Sequence, residues 1–433
     1  MKDLYLCWTD NPSNINITNY HYRLLSNYFI FCCLFYSWGL CLVLRSRIFR
    51  DRSKLSPYYI PRLLPHRDEQ LKLLKSVYLG MLNNLREIYP VFSQIVGSTG
   101  TGKTCTTIRF GQILVDEARI RSIRLKYVYL NCKVDGSSRF VLYGNLVRKA
   151  APEISTRSLS PQEMLRRLID YLRSENIYLL LTLDEIDYFV NMNPDEHVIY
   201  DLTRIPEMYP GEPSPLLGGI FISRSLDWHE MLEPSERSTL GLGVIEFPRY
   251  TAGQIRDILE RRAEEAFMPK AISDDVIDLI SDITASPPVN GDVRVGLDLL
   301  LFAGNLAENQ GVDVVRPDHV RKVYSEINPT ITTEDIVSLD QTGRMILLAL
   351  VRSLRAAGSA YVGLREIRET YGVVCEEFNI KPVETFEEHV QDLIYRGIID
   401  MKSLTELGIS GASLVDLERF IDHLLEHLRM DLK

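Results

Sequence analysis

The octapeptide GSTGTGKT at residues 97–104 constrains this chain more than any other stretch of its 433 residues. It follows an apolar run at 91–96, precedes a helical pattern, and fits G-x-x-x-x-G-K-[ST] at Gly97, Gly102, Lys103 and Thr104. Glycines at this spacing let consecutive backbone N–H groups curl around phosphate oxygens, and the positive end of the following helix faces the same point. The loop residues Gly97, Ser98, Thr99, Gly100, Thr101 and Gly102 are therefore expected to cradle a phosphate chain. Lys103 is expected to reach its β and γ phosphates, and Thr104 to hold Mg²⁺.

A cradle without a metal-holding acid would only bind, so the chain must also supply carboxylates. IYLLLTLDEID, residues 177–187, is an apolar strand ending in adjacent Asp184 and Glu185 about 80 residues after the loop. A strand buried on both faces delivers Asp184 to its C-terminal edge, beside the loop, where it is expected to hold Mg²⁺ through water. Glu185 is then expected to orient or deprotonate an attacking water. The cofactors implied are ATP or ADP with Mg²⁺.

Short β-branched or aromatic runs at 91–96, 126–130, 178–183, 219–223 and 244–247 alternate with helical patterns, which predicts an α/β domain with a mostly parallel sheet. After Pro248, Thr251 and Gln254 have capping-box spacing, and Ile255, Ile258 and Leu259 share one helical face. An all-helical section runs from there to about residue 330. The formal charge of −9 argues against a surface coated in cations for indiscriminate nucleic-acid binding.

With these motifs in order, the chain resembles the archaeal AAA+ replication initiators of the origin recognition complex and cell division control protein six type. The likeness covers roughly residues 48–400. It is carried by IFRDRSKLSPYYIPRLLPHRDEQ (48–70), GSTGTGKT, the YVYLNC run ending at Asn131 and Cys132, LTLDEID, FPRYTAGQIRDILERRAEEAF and GDVRVGLDLL from Gly291. The resemblance implies an AAA+ P-loop parallel-sheet base (55–247), an all-helical lid (248–330) and a C-terminal winged-helix domain (331–433), after an atypical extension (1–54). It further implies that the segment holding Tyr59 and Ile60 packs against adenine and that Arg294 is a lid arginine reaching the γ-phosphate. The function it implies is replication initiation: ATP binding with slow hydrolysis as a switch for origin DNA binding and recruitment of the minichromosome-maintenance helicase. The other reading is an initiator-derived regulator that acts through protein contacts.

Two places depart from the family pattern. After the fourth strand, where the family commonly carries an amide, FISRS places Arg224, which can donate to phosphate but cannot position water as an amide does. In LEPSERSTLG, Ser235 stands where an arginine normally follows the proline, and Arg237 lies two further on. Both departures point to slow turnover.

In 331–433, Ile346, Leu347, Leu350, Val351 and Leu354 mark a helix stopping before Gly358, and a second helix runs near 364–371. A third is expected to start at Thr385, capped reciprocally with Glu388, and to bury Phe386, Val390, Leu393 and Ile394. By the resemblance, this third helix enters the major groove of duplex DNA. Its outward face carries Glu387, Glu388 and Asp392, and the wing at 401–413 offers Lys402 against Glu406. The section holds 11 Lys and Arg against 18 Asp and Glu, so phosphates would be repelled and counterion release largely lost. Basic density lies instead at 105–150, with 9 Lys and Arg against 3 acids, including Arg139, Arg148 and Lys149. In the family a helix near this place touches the DNA backbone.

The first 54 residues read differently. Residues 28–44 carry no charge and are followed by Arg45, Arg47, Arg50, Arg52 and Lys54. Seventeen helical residues span roughly 26 Å, the short edge of a membrane-crossing length, and the basic cluster would keep the bulk cytoplasmic. A membrane anchor, a buried helix and an over-extended start all fit this segment. Seven cysteines without a C-x-x-C pair indicate neither a disulfide framework nor a zinc site, which favours a cytoplasmic, nucleoid-associated protein.

Overall fold

Hydrophobic runs bounded by turn residues form five parallel strands in the computed structural model, which describes residues 46–85, 89–241, 243–329 and 331–431. They are β1 (Val91–Val96), β2 (Leu125–Asn131), β3 (Tyr178–Asp184), β4 (Leu216–Ser223) and β5 (Val244–Glu246), in the order β2-β3-β4-β1-β5. Each expected strand is present. β4 begins earlier than the 219–223 pattern because Leu216 already pairs with Leu179, across an irregularity between Leu179 and Leu180.

β4 is buried along its whole length and β3 along nearly all of it, because helices cover both faces. On one face, α1 (Asp68–Met81) and α2 (Lys103–Ile120) bring Leu74, Tyr78, Phe110 and Leu114 against Ile220 and Leu180. On the other, α3 (Arg139–Ala150) and α4 (Pro161–Ser174) pack Leu146, Val147 and Leu168 against Leu130, Leu181 and Phe221. Because all strands run one way, the C-terminal ends of β1, β3 and β4 lie side by side, with Val96 level with Ser223 and Asp184 level with Ile222. The loops leaving those ends therefore converge on one edge.

The lid comprises α5 (Ala252–Ala266), α6 (Asp274–Ala285), α7 (Val293–Asn309) and α8 (Pro317–Ile327). The Thr251–Gln254 capping box forms as expected. The lid core also takes in Ile48, Phe49 and Leu55, with the Phe49 and Phe267 rings 4.9 Å apart. Residues 48–55, up to the expected start of the base, thus serve the lid.

The C-terminal section holds α9 (Gln341–Ala357), α10 (Leu364–Phe378), α11 (Phe386–Tyr395) and α12 (Leu414–Asp431). A small antiparallel sheet joins them, formed by β6 (Tyr361–Gly363), β7 (Asp400–Met401) and β8 (Glu406–Gly408) in the order β6-β8-β7. α9 is buried all round between Met345 and Val351, and it stops where Gly358 takes a left-handed φ of 65°. One sequence expectation is corrected here. Thr385 has φ −86° and ψ 31°, outside the extended region from which an N-cap side chain reaches back to the helix, so its hydroxyl caps nothing and no box with Glu388 forms; its carbonyl accepts from His389 Nδ1 at 2.9 Å. In the wing, the Lys402 side chain reaches Asp278 of α6 at 3.0 Å.

Among the described residues no helix is long and apolar enough to cross a membrane; the segment 28–44 lies outside them.

Candidate functional site

The loop from Gly97 to Thr104 joins β1 to α2 at the sheet edge where β3 and β4 also end. Gly102 is the left-handed N-cap of α2, at φ 84°, and Gly100 stands at φ 74°. A side chain at Gly100 would be strained and would meet the Asp292 backbone at 2.6 Å, so lid and loop touch only because this residue is glycine. Thr101 is buried and its hydroxyl donates to the Ser98 carbonyl at 2.8 Å; Arg249 Nε donates to Ser98 Oγ at 3.3 Å; Thr99 is exposed at the tip.

Lys103 Nζ donates to the carbonyls of Gly97 at 2.5 Å and Ser98 at 2.8 Å. Burial holds its ammonium below the ordinary lysine value; Arg294 and Arg224 add to that, while Asp184 and Asp187 oppose it. Two arginines from separate elements thus add their charge to the surroundings of the same lysine, a concentration of positive charge suited to a polyanion. Arg294 sits one residue inside α7, its amide capped by Asp292 Oδ1 at 3.0 Å.

Thr104 Oγ1 donates to Asp184 Oδ2 at 2.5 Å, and the Tyr129 hydroxyl donates to the same oxygen at 2.8 Å. Asp184 is only 4% exposed. Its neighbour Glu185 is held at φ 55° and ψ 42°, a left-handed backbone that a non-glycine residue adopts at a cost of about 1–3 kcal/mol. Arg224 approaches the Glu185 carboxylate at 3.5 Å, while its own amide donates to Asp187 Oδ2 at 3.1 Å. The sequence-selected Lys103, Thr104, Asp184, Glu185, Arg224 and Arg294 therefore converge.

Tyr59 and Ile60 are half-buried at the base–lid junction. The Tyr59 hydroxyl donates to Glu265 of α5 at 2.7 Å, and its carbonyl accepts from Arg262 at 3.1 Å. Arg237 does not project from its segment: it donates to the His229 carbonyl at 2.6 Å. Arg139 and Lys149 of the basic stretch are partly committed, to Asp201 at 3.2 Å and Asp135 at 3.1 Å.

Sequence reasoning missed Arg67. This arginine is 3% exposed, and it donates to the Thr101 carbonyl through Nε at 3.0 Å and Nη2 at 2.9 Å, and to the Pro248 carbonyl at 3.0 Å. Its guanidinium lies 3.8 Å over the Tyr250 ring. It fastens the phosphate loop to the start of the lid. Burial lowers its pKa from the usual arginine value, with Tyr250 opposing.

Comparison with known proteins fits this arrangement. The family model described as an AAA domain matches residues 90–222, the Cdc6 AAA+ ATPase-type lid domain matches 256–325, and the CDC6 C-terminal winged helix domain matches 334–408. The ORC1-type DNA replication protein 2 of Sulfurisphaera tokodaii is 32% identical over 394 residues, covering 88% of this chain and 92% of that protein. The crystal structure of Cdc6p from Pyrobaculum aerophilum is 29% identical with a TM-score of 0.75, covering 88% of this chain and 99% of that one. The Aeropyrum pernix ORC1 protein, solved in complex with DNA, is 28% identical with a TM-score of 0.57 over 88% of this chain and 98% of that one. An AAA+ base, a Cdc6-type lid and a winged helix following one another along a single chain make this protein a member of the ORC1/Cdc6-type replication initiator family.

Proposed function

We propose that this protein is an ATP-dependent replication initiator in which the nucleotide held by the phosphate loop governs lid posture and, through it, the binding of origin DNA and the recruitment of a replicative minichromosome-maintenance helicase. The observation that carries the nucleotide part is the convergence of Lys103, Arg224 and Arg294 on one sheet edge with the hydroxyl of Thr104 and the carboxylate of Asp184. The Thr104 hydroxyl and the Asp184 carboxylate, joined by a hydrogen bond, are the hard oxygens that Mg²⁺ prefers; it takes few protein ligands, directly or through water, and fills its remaining positions with phosphate oxygens and water. The backbone of residues 97–102 and Lys103 would hold the phosphates, and Tyr59 and Ile60 the base. When bound, the metal neutralises charge on the β and γ phosphates.

Glu185 would orient or deprotonate water. Arg224 faces it in place of an amide, and a carboxylate held by a cation is a poorer base; this supports slow hydrolysis that resets a switch. Glu185→Gln should keep nucleotide binding and lower turnover about a hundredfold. Unchanged turnover would show that Glu185 is a bystander.

DNA binding rests on the family and on the complex with DNA of the Aeropyrum pernix ORC1 protein. A second reading, an initiator-derived regulator working through protein contacts, is favoured by the acidic outer face of α11, where Glu387, Glu388 and Asp392 are exposed, and by the commitment of the wing's Lys402 to Asp278. Titration of duplex DNA against salt, with ATP present, separates the two: affinity falling steeply with salt supports the initiator, and no binding at low salt supports the regulator.

A further inference from the structure

Among the described residues β2 is an edge strand, with β3 on one side and no strand on the other. The Tyr178 amide donates to the Arg124 carbonyl, and a parallel ladder repeats every two residues. Lys126, Val128 and Leu130 therefore turn their backbone groups to β3, and Leu125, Tyr127, Tyr129 and Asn131 turn theirs outward. Of the outward groups, the Tyr129 carbonyl accepts from Lys149 Nζ at 3.1 Å and the Asn131 amide donates to Asp135 Oδ2 at 3.1 Å. Among the described residues, the remaining amides and carbonyls of Leu125 and Tyr127 and the Tyr129 amide have no hydrogen-bond partner. This is about 16 Å of strand edge open to pairing.

A groove of about 610 Å³ runs along the same edge, between α2 and α3. Residues 125–128 form its floor; Arg109, Arg119, Lys126 and Lys149 supply four cations, and Asp116 one acid. Two of the cations are not neutralised by a carboxylate: Arg109 donates to the Arg62 carbonyl and to Gln112 Oε1, and Lys126 to the Ala150 carbonyl.

We propose that this groove is a docking site for an acidic, extended peptide segment of a partner protein, which adds to β2 as a further strand while its carboxylates meet Arg109 and Lys126 and compete with Asp116 for Arg119 and with Asp135 for Lys149. The proposal lies beyond the nucleotide-dependent reading and does not rest on it. Unpaired main-chain groups favour a peptide over nucleic acid, since a phosphate backbone has no donor with which to satisfy the outward carbonyls of Leu125 and Tyr127. Cations confined to the strand's margin select an acidic sequence. Lysines along an edge also deter self-pairing of sheets, a role that needs no ligand.

Fluorescence anisotropy on the full chain distinguishes these. The probe is a fluorescein-labelled nonapeptide of alternating glutamate and valine, alongside the same peptide N-methylated at every second amide and a short labelled duplex DNA. The peptide should bind, and the Arg109→Glu/Arg119→Glu variant should weaken it at least about tenfold while still binding Mg·ATP like the parent. Methylation should weaken it comparably, because charge is retained and only strand pairing is lost. No binding of the peptide, or equal binding of the methylated form, overturns the proposal. So does a loss confined to the duplex in the charge-reversed variant, which would mark the groove as a nucleic-acid surface.

Discussion

At the residue scale, Arg67 makes the site more than the sum of its motifs. Its guanidinium satisfies carbonyls in the phosphate loop and at the lid's start, so truncation leaves those oxygens buried and unpaired, each at a cost of about 1–3 kcal/mol. Arg67→Ala should therefore lower the melting temperature and weaken Mg·ATP binding about tenfold or more, and Arg67→Lys should rescue little, because a single ammonium cannot reproduce the fork. An alanine variant with parental stability and affinity would remove Arg67 from this role. Its absence from the sequence reading has a physical cause. Lys103, Asp184 and Glu185 are legible because phosphate and metal chemistry fixes their type and spacing. Arg67 answers to carbonyls 34 and 181 residues away, and a carbonyl leaves no trace in side-chain patterning. Tyr129 is hidden likewise: it sits in a strand as an ordinary β-former, and only the fold brings its hydroxyl to Asp184.

At the scale of elements, strands and helices follow the apolar periodicity closely, whereas caps depend on backbone angles that composition does not encode. Thr251, extended at ψ 164°, caps α5; Thr385, at ψ 31°, does not cap α11. The start of α8 uses a cap that no common signature would reveal. The Arg316 amide donates to His319 Nδ1 at 2.9 Å, while His319 Nε2 meets Gln310 Oε1 at 3.0 Å. Because Nδ1 accepts, the ring must be neutral. Burial holds its pKa below the ordinary 6.5, Asp318 opposing and Arg316 adding. With the folded pKa depressed, the unfolded chain binds the extra proton first; the stabilisation is complete above 6.5 and is lost as pH falls through the folded pKa. The melting temperature should drop between pH 7 and pH 5 by more in the parent than in His319→Gln. Equal drops would show that another group governs the acid limb.

At the scale of the whole molecule, lid and winged helix are joined by a buried arginine. Arg321 of α8 is 1% exposed and donates to the carbonyls of Ile409 at 2.6 Å, Ala360 at 2.8 Å and Ser359 at 3.1 Å. The Tyr361 hydroxyl adds a bond to Asp282 at 2.8 Å, and Lys402 one to Asp278. These contacts tie the winged helix to the lid at three points. Arg321→Ala should cost about 3 kcal/mol and split thermal unfolding, with the winged helix melting first. A single transition at the parental temperature would show the two parts to be coupled by other contacts. The division into sheet, helical section and third section was legible from periodicity and motif order, but this junction was not, because its acceptors are again carbonyls, up to 88 residues distant.

The proposed function depends on a nucleotide seated between loop and lid. Isothermal titration of Mg·ATP into the intact chain should give one binding event per molecule, abolished by Lys103→Ala and weakened by Arg294→Ala. Flat heats with the parent, or binding by Lys103→Ala as tight as the parent's, would contradict the account.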